Sequence, residues 1–127
     1  ESLEGCAIIT TNLQENIDEA FLRRFGSVIE FPLPTPVERE LLWERCFPEY
    51  APRSPDLDIP YLAKQFSLAG GAIMNAAINA CIIAASQQPA VSMSHAIEAV
   101  ARELYKMGKQ VNRVHFGDYY DDVSELF

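Results

Sequence analysis

A chain of 127 residues with 49% hydrophobic and 22% charged residues has globular proportions, enough for one domain, or one and a fraction, with a small core of its own. The formal net charge of −8 and a pI near 4.6, with no local run of lysine or arginine to offset them, exclude the electrostatic footprint of direct nucleic-acid binding.

Residues Cys6–Thr11 read C-A-I-I-T-T, a short apolar run with β-branched residues at its end, and predict a strand buried on both faces of a parallel sheet. Asn12 ends it. The polar stretch Leu13–Asn16 leads to Asp18, a good N-cap for a brief helix over Glu19–Arg24 that Phe25-Gly26 stops. Ser27–Phe31, S-V-I-E-F, predicts a second short strand. Pro32, Pro34 and Pro36 then stand at alternate positions, where neither a helix nor a central strand continues, so Pro32–Pro36 is expected to be a stiff connector between two structural units.

Beyond the connector the pattern is helical. Thr35-Pro36-Val37-Glu38 is a capping box with proline at the first helical position, and Val37, Leu41, Leu42 and Cys46 recur at helical spacing up to Pro48. After the loop Pro48–Pro55, Asp58 is placed to cap a second helix with Ile59, Leu62, Ala63 and Phe66 as its apolar members. Gly70-Gly71 opens a longer helix to about Ser86, and Ser92 caps a fourth over Met93–Met107, ended by Gly108. The tail from Val111 has no clear period, and either docking on the helices or partial disorder is expected there. The apolar stretch Leu68–Ala85 is opened by Gly70 and Gly71 and interrupted by Asn75 and Asn79, which fits a buried helix and not a membrane span.

Cys6, Cys46 and Cys81 are far apart, among apolar neighbours and without a Cys-x-x-Cys pair, so buried free thiols in a reducing cytosol are expected. His95 and His115 are isolated from each other and from the cysteines; metal-site spacing is absent, and both read as surface or tail residues. The chain opens on Glu1 and enters an apolar run almost at once, as a piece of a longer protein would.

Three motifs in order carry a resemblance: the apolar run ending in T-T-N at Asn12, then I-D-E-A-F-L-R-R-F over Ile17–Phe25, then V-I-E-F-P-L-P over Val28–Pro34. Together they resemble the AAA family of ATPases, within the AAA+ class. The resemblance covers nearly the whole chain and is weakest after Gly108. It implies a mostly α chain, with the last strands of an α/β nucleotide-binding subdomain over residues 1–34, a four-helix lid over 35–110 and a tail over 111–127. Asn12 matches the polar sensor 1, where an amide both donates and accepts and so can touch a γ-phosphate while orienting the attacking water. Arg23 and Arg24 match the arginines that such proteins present to a neighbouring subunit's nucleotide, a role suited to a planar, delocalised charge, with a slight preference for Arg24 nearer the γ-phosphate.

A further signature, S-L-A-G-G-A-I over Ser67–Ile73, resembles the start of the third lid helix, where the backbone passes close to adenine and ribose. The resemblance therefore assigns Gly70, Gly71 and Ala72 to nucleotide binding; packing of two helices at a pair of small residues is the alternative. This chain departs from relatives with a sensor-2 arginine, having no basic residue near Ala72 or at Met74. It also has no G-x-x-x-x-G-K-[ST] loop and no strand ending in paired acids to hold magnesium, so it alone is expected to be inactive. ATP and Mg2+ would belong to a complete module. The implied parent is a cytoplasmic homo-oligomeric ring that remodels a protein or an assembly, with neighbouring subunits as partners and with neither nucleic acid nor membrane. The competing reading is a non-catalytic, acidic helical protein-interaction module.

Overall fold

A computed structural model describes residues 4–12, 14–87 and 90–127; Glu1, on which the fragment expectation rests, and Leu13, where the polar stretch begins, lie outside the described residues. The chain divides into two compact units, Glu1–Pro32 and Leu33–Phe127.

In the first unit a turn of 3-10 helix spans Gln14–Asn16 and a short helix, α1, spans Glu19–Leu22. Asp18 caps α1 by accepting the Ala20 N–H at 3.0 Å, and the Phe21 and Phe25 rings meet edge to face at 5.3 Å across the turn that follows. The two runs expected to be strands, Cys6–Thr11 and Ser27–Phe31, are irregular, and no strand occurs among the described residues. Strands form in ladders, and no ladder occurs among the described residues; the apolar side chains of both runs stay in solvent, with Ile8 85% and Phe31 90% exposed. Cys6 is exposed with them, a correction to the expectation that its thiol is buried.

The second unit is helical, which makes the chain mostly α. Its first helix, α2, runs Pro36–Cys46 and starts on a complete capping box: the Thr35 N–H donates to Glu38 Oε2 at 2.7 Å and the Glu38 N–H to Thr35 Oγ1 at 3.3 Å. Such a cap is worth about 1 kcal/mol. The buried face of α2 is not the expected one. Val37 and Leu41 point to solvent, while Arg39 and Trp43 are buried and Leu42 and Cys46 half-buried.

Helix α3, Ile59–Gln65, is capped by Asp58, which accepts the Tyr61 N–H at 3.0 Å. Between α2 and α3 the loop is stapled by Arg53, whose guanidinium bonds the Glu44 carboxylate at 2.5 Å and the Glu44 carbonyl at 2.9 Å and lies over the Phe47 ring. A two-bond bridge ties the same loop to Val91: its N–H donates to the Pro52 carbonyl and its carbonyl accepts from Ser54, both at 2.8 Å.

Helices α4, Gly70–Gln87, and α5, Met93–Lys106, form the most extensive helix pair. Alanines make up much of what the two helices bury, Ala76, Ala77, Ala80 and Ala84 on α4 and Ala96, Ala99 and Ala101 on α5. No described helix is long and apolar enough to cross a membrane. His95 corrects a second expectation: it is buried and not on the surface. The Ser92 N–H donates to His95 Nδ1 at 3.1 Å, leaving Nε2–H to donate to Gln87 Oε1 at 3.1 Å, so the ring closes the start of α5 against the end of α4.

The tail docks. Helix α6, Arg113–Phe116, a 3-10 turn over Gly117–Tyr119, and α7, Tyr120–Ser124, place Phe116 and Val123 in the core. Phe116 meets Phe66 with ring centroids 5.0 Å apart, Tyr119 meets Tyr61 at 5.6 Å, and Gln65 Nε2 donates to the carbonyls of Val114 and His115 at 3.2 and 2.9 Å.

Candidate functional site

The residues singled out by sequence fall on both units. Asn12, Arg23 and Arg24 lie in the first; Gly70, Gly71 and Ala72 lie in the second. Asn12 sits at a bend directly after the apolar run and is exposed. Arg23 and Arg24 leave the end of α1, which stops at Leu22 and not at Arg24, so both guanidiniums stand in the turn beyond the helix and face solvent. Arg23 pairs with Glu19 one turn back at 3.2 Å, with both side chains more than three-quarters exposed. An ion pair so exposed is worth little and is readily exchanged for a stronger anion. Arg24 makes no ion pair among the described residues, which leaves it the more available of the two.

Gly70 and Gly71 form the first turn of α4. Ala69 supplies the carbonyl that accepts the Ile73 N–H at 3.0 Å, but it has no side-chain oxygen to cap the N–H groups at the helix start. Neither glycine has a positive φ. A Cβ built on Gly70 meets only Leu42 Cδ1, at an ordinary 3.7 Å, and one built on Gly71 meets nothing within 4 Å. Helix packing within this chain therefore does not demand the pair, and neither does backbone conformation. Alanine would serve the helix better at both positions. Ala72, next in line, is half-buried against the core. Helix α4 has no charged residue along its length, so no arginine from it reaches a phosphate.

Arg39 is a buried structural side chain that sequence patterning missed, because a charged residue is discounted as a core member. It is buried, donating from Nε to the Ala63 carbonyl at 2.7 Å and from Nη1 to the Pro34 carbonyl at 2.8 Å. One guanidinium thus satisfies a terminal carbonyl of α3 and pins the connector to it. The signal lay in its spacing, four residues before Trp43 on the buried face. Glu103 is similarly hidden: buried, it accepts from Asn75 Nδ2 at 3.2 Å and faces Lys106 Nζ at 2.5 Å, joining α4 to α5.

Burial pushes the Cys46 thiol up from its ordinary value; it does the same to Cys81, which the Arg53 guanidinium pulls partly back. Tyr61 is raised first by desolvation and then by Tyr119, Asp118 and Asp58. These shifts disfavour charge, so neither thiol is an activated nucleophile. Among the described residues no group of His, Cys, Asp and Glu is arranged to hold a metal ion. The first unit offers an exposed amide and two solvent-facing guanidiniums, and the second a stretch of backbone open to close approach. No protein-family model matches the chain, and no curated protein matches it at significant similarity.

Proposed function

We propose that the chain is the C-terminal part of an AAA family ATPase module, supplying sensor 1, trans-acting arginines and a helical lid to a nucleotide site whose phosphate loop and magnesium ligands lie elsewhere in the same protein. The observation that carries the reading is the glycine pair at the start of α4, which neither packing nor backbone conformation requires. A backbone kept free of side chains at an uncapped helix start suits close approach of a nucleoside.

Solvent-facing Arg23 and Arg24 support the same reading, as do the uncovered apolar side chains of Ile8, Ile9, Val28, Ile29 and Phe31, which suit strands of a larger sheet. In this reading residues 1–34 end the α/β subdomain and residues 35–110 form the four-helix lid. Asn12 orients water at the γ-phosphate. Arg23 and Arg24 stabilise charge on the phosphate of the adjacent subunit in a cytoplasmic homo-oligomeric ring that remodels a protein or assembly.

The test uses the complete module. Replacing Arg23 and Arg24 with alanine is expected to lower ATP hydrolysis by about 10³-fold while nucleotide binding survives. Asn12→Ala is expected to slow turnover by about tenfold or more with little change in binding. Mixing the double arginine variant with one disabled in its own phosphate loop should restore part of the activity, since some interfaces then pair an intact loop with an intact finger. Absence of rescue, with mixed rings demonstrated by native mass spectrometry, removes the trans-acting role and leaves the interaction-module reading in its place.

A further inference from the structure

One surface of the helical unit belongs to none of the roles above. Along α4, Met74, Ile78 and Ile82 recur every four residues and are 45–62% exposed, forming an apolar stripe about 12 Å long. At its end lies a cavity of about 660 Å³ walled by Ile82, Ile83, Tyr105, Leu126 and Phe127. An adjoining cavity of about 640 Å³ shares Tyr105, Lys106 and Phe127 with it. The Tyr105 and Phe127 rings are stacked at 4.8 Å, yet Tyr105 remains 62% exposed, as does Ile82. A stripe, two cavities and a partly exposed aromatic pair form a continuous surface with the shape and chemistry of a peptide groove.

The charged side chains that line it are all basic. The chain carries 18 acids against 10 bases, yet no acid lines either cavity, whereas Arg102, Lys106 and Lys109 do. Arg102 and Lys106 are partly engaged by Glu98 and Glu103, while Lys109 makes no ion pair among the described residues. A cationic rim around an apolar groove on an acidic protein selects for negatively charged residues flanking apolar ones and repels the rest of the molecule's own kind of partner, basic segments, at the point of contact.

We infer that the groove between α4, α5 and the C-terminal tail docks an acidic amphipathic segment of a partner protein, its apolar residues lying on Ile78, Ile82 and Tyr105 and its carboxylates facing Arg102, Lys106 and Lys109. The inference does not rest on the ATPase reading, and the isolated chain suffices to test it.

Fluorescence anisotropy with a fluorescein-labelled amphipathic peptide, leucines on one face and glutamates on the other, is the assay; the control peptide has lysine in place of every glutamate. Saturable binding of the acidic peptide, at least about tenfold tighter than the basic one and weakened by added salt, is expected. Ile82→Asp, at an exposed position, and the double variant Arg102→Glu with Lys109→Glu should each weaken it about tenfold or more while circular dichroism and the thermal melt stay unchanged. Lys106 is left in place because it pairs with buried Glu103. Equal binding of the two peptides, no binding of either, or affinity indifferent to both variants overturns the inference. So does self-association of the chain in sedimentation that Ile82→Asp abolishes, which would assign the face to a second copy, or displacement of the peptide by a single-stranded oligonucleotide.

Discussion

Gly71→Ala separates what the fold needs from what a ligand needs. The position lies in the first turn of α4, its φ is ordinary for any residue, and an added Cβ meets nothing within 4 Å. The methyl group therefore costs nothing in the folded chain and restricts the unfolded one, which stabilises by about 0.4–1 kcal/mol. In a helical unit of this size that raises the melting temperature by about 2–8 °C. In the complete module proposed above, the same methyl stands between the backbone and the nucleoside. Overpacking of about 1–3 kcal/mol at the contact weakens nucleotide binding by about 5- to 150-fold. Thermal unfolding of this chain followed by circular dichroism, and titration of the complete module with a fluorescent ATP analogue, measure the two effects. A lowered melting temperature would show that the fold itself requires Gly71. A raised melting temperature with unchanged nucleotide affinity would refute the assignment of the glycine pair to the ligand.

Arg39→Ala is expected to destabilise the chain by about 2–3 kcal/mol in urea denaturation, because the buried Ala63 carbonyl and the partly buried Pro34 carbonyl lose a charged donor; a loss below about 1 kcal/mol would mean that water replaces the guanidinium. For Cys46 and Cys81, burial raises both thiols above the ordinary 9.0, so the folded chain holds protons that the unfolded chain releases. Stability from this source is complete below pH 9 and declines as pH rises through 9 toward the folded values, and the double variant Cys46→Ser with Cys81→Ser should flatten that decline in urea midpoints. A decline identical in the variant would place its origin in other groups.

The helix starts were legible because capping is local. Thr35, Pro36 and Glu38 are within four residues of one another, and Asp58 stands next to its helix, so short-range chemistry alone decides these boundaries. Which face of α2 is buried was not legible. Val37 and Leu41 have apolar side chains at helical spacing, but α3 and α4 pack on the other side, where Arg39 reaches carbonyls 24 residues away in one direction and five in the other. No pattern of hydrophobicity reports a buried guanidinium whose partners are backbone oxygens. His95 was misread for a similar reason: its partners, Ser92 and Gln87, are near in sequence but belong to two helices. The apolar runs Cys6–Thr11 and Ser27–Phe31 have strand composition, yet composition states only a preference, and pairing partners turn it into structure. Of the candidate site, residue types and order were readable, whereas the freedom of Gly71 and the solvent-facing turn holding Arg24 needed coordinates.

Closure of the helical core by Phe116 and Val123 has a consequence for synthesis on the ribosome. Gln65 bonds the His115 carbonyl across 50 residues, and Phe66 finds its ring partner at the same distance along the chain. Helix α5 ends at Lys106, nine residues before His115, and until the tail follows, the Tyr61 and Phe66 rings have no cover from it. Nascent chains thus pass through a stage in which the helices are formed and an aromatic face is open, when a loop of this length has yet to close. Such a face is a ready site for holdase chaperones and for association between neighbouring nascent chains, and its burial marks the point at which the unit passes out of their reach.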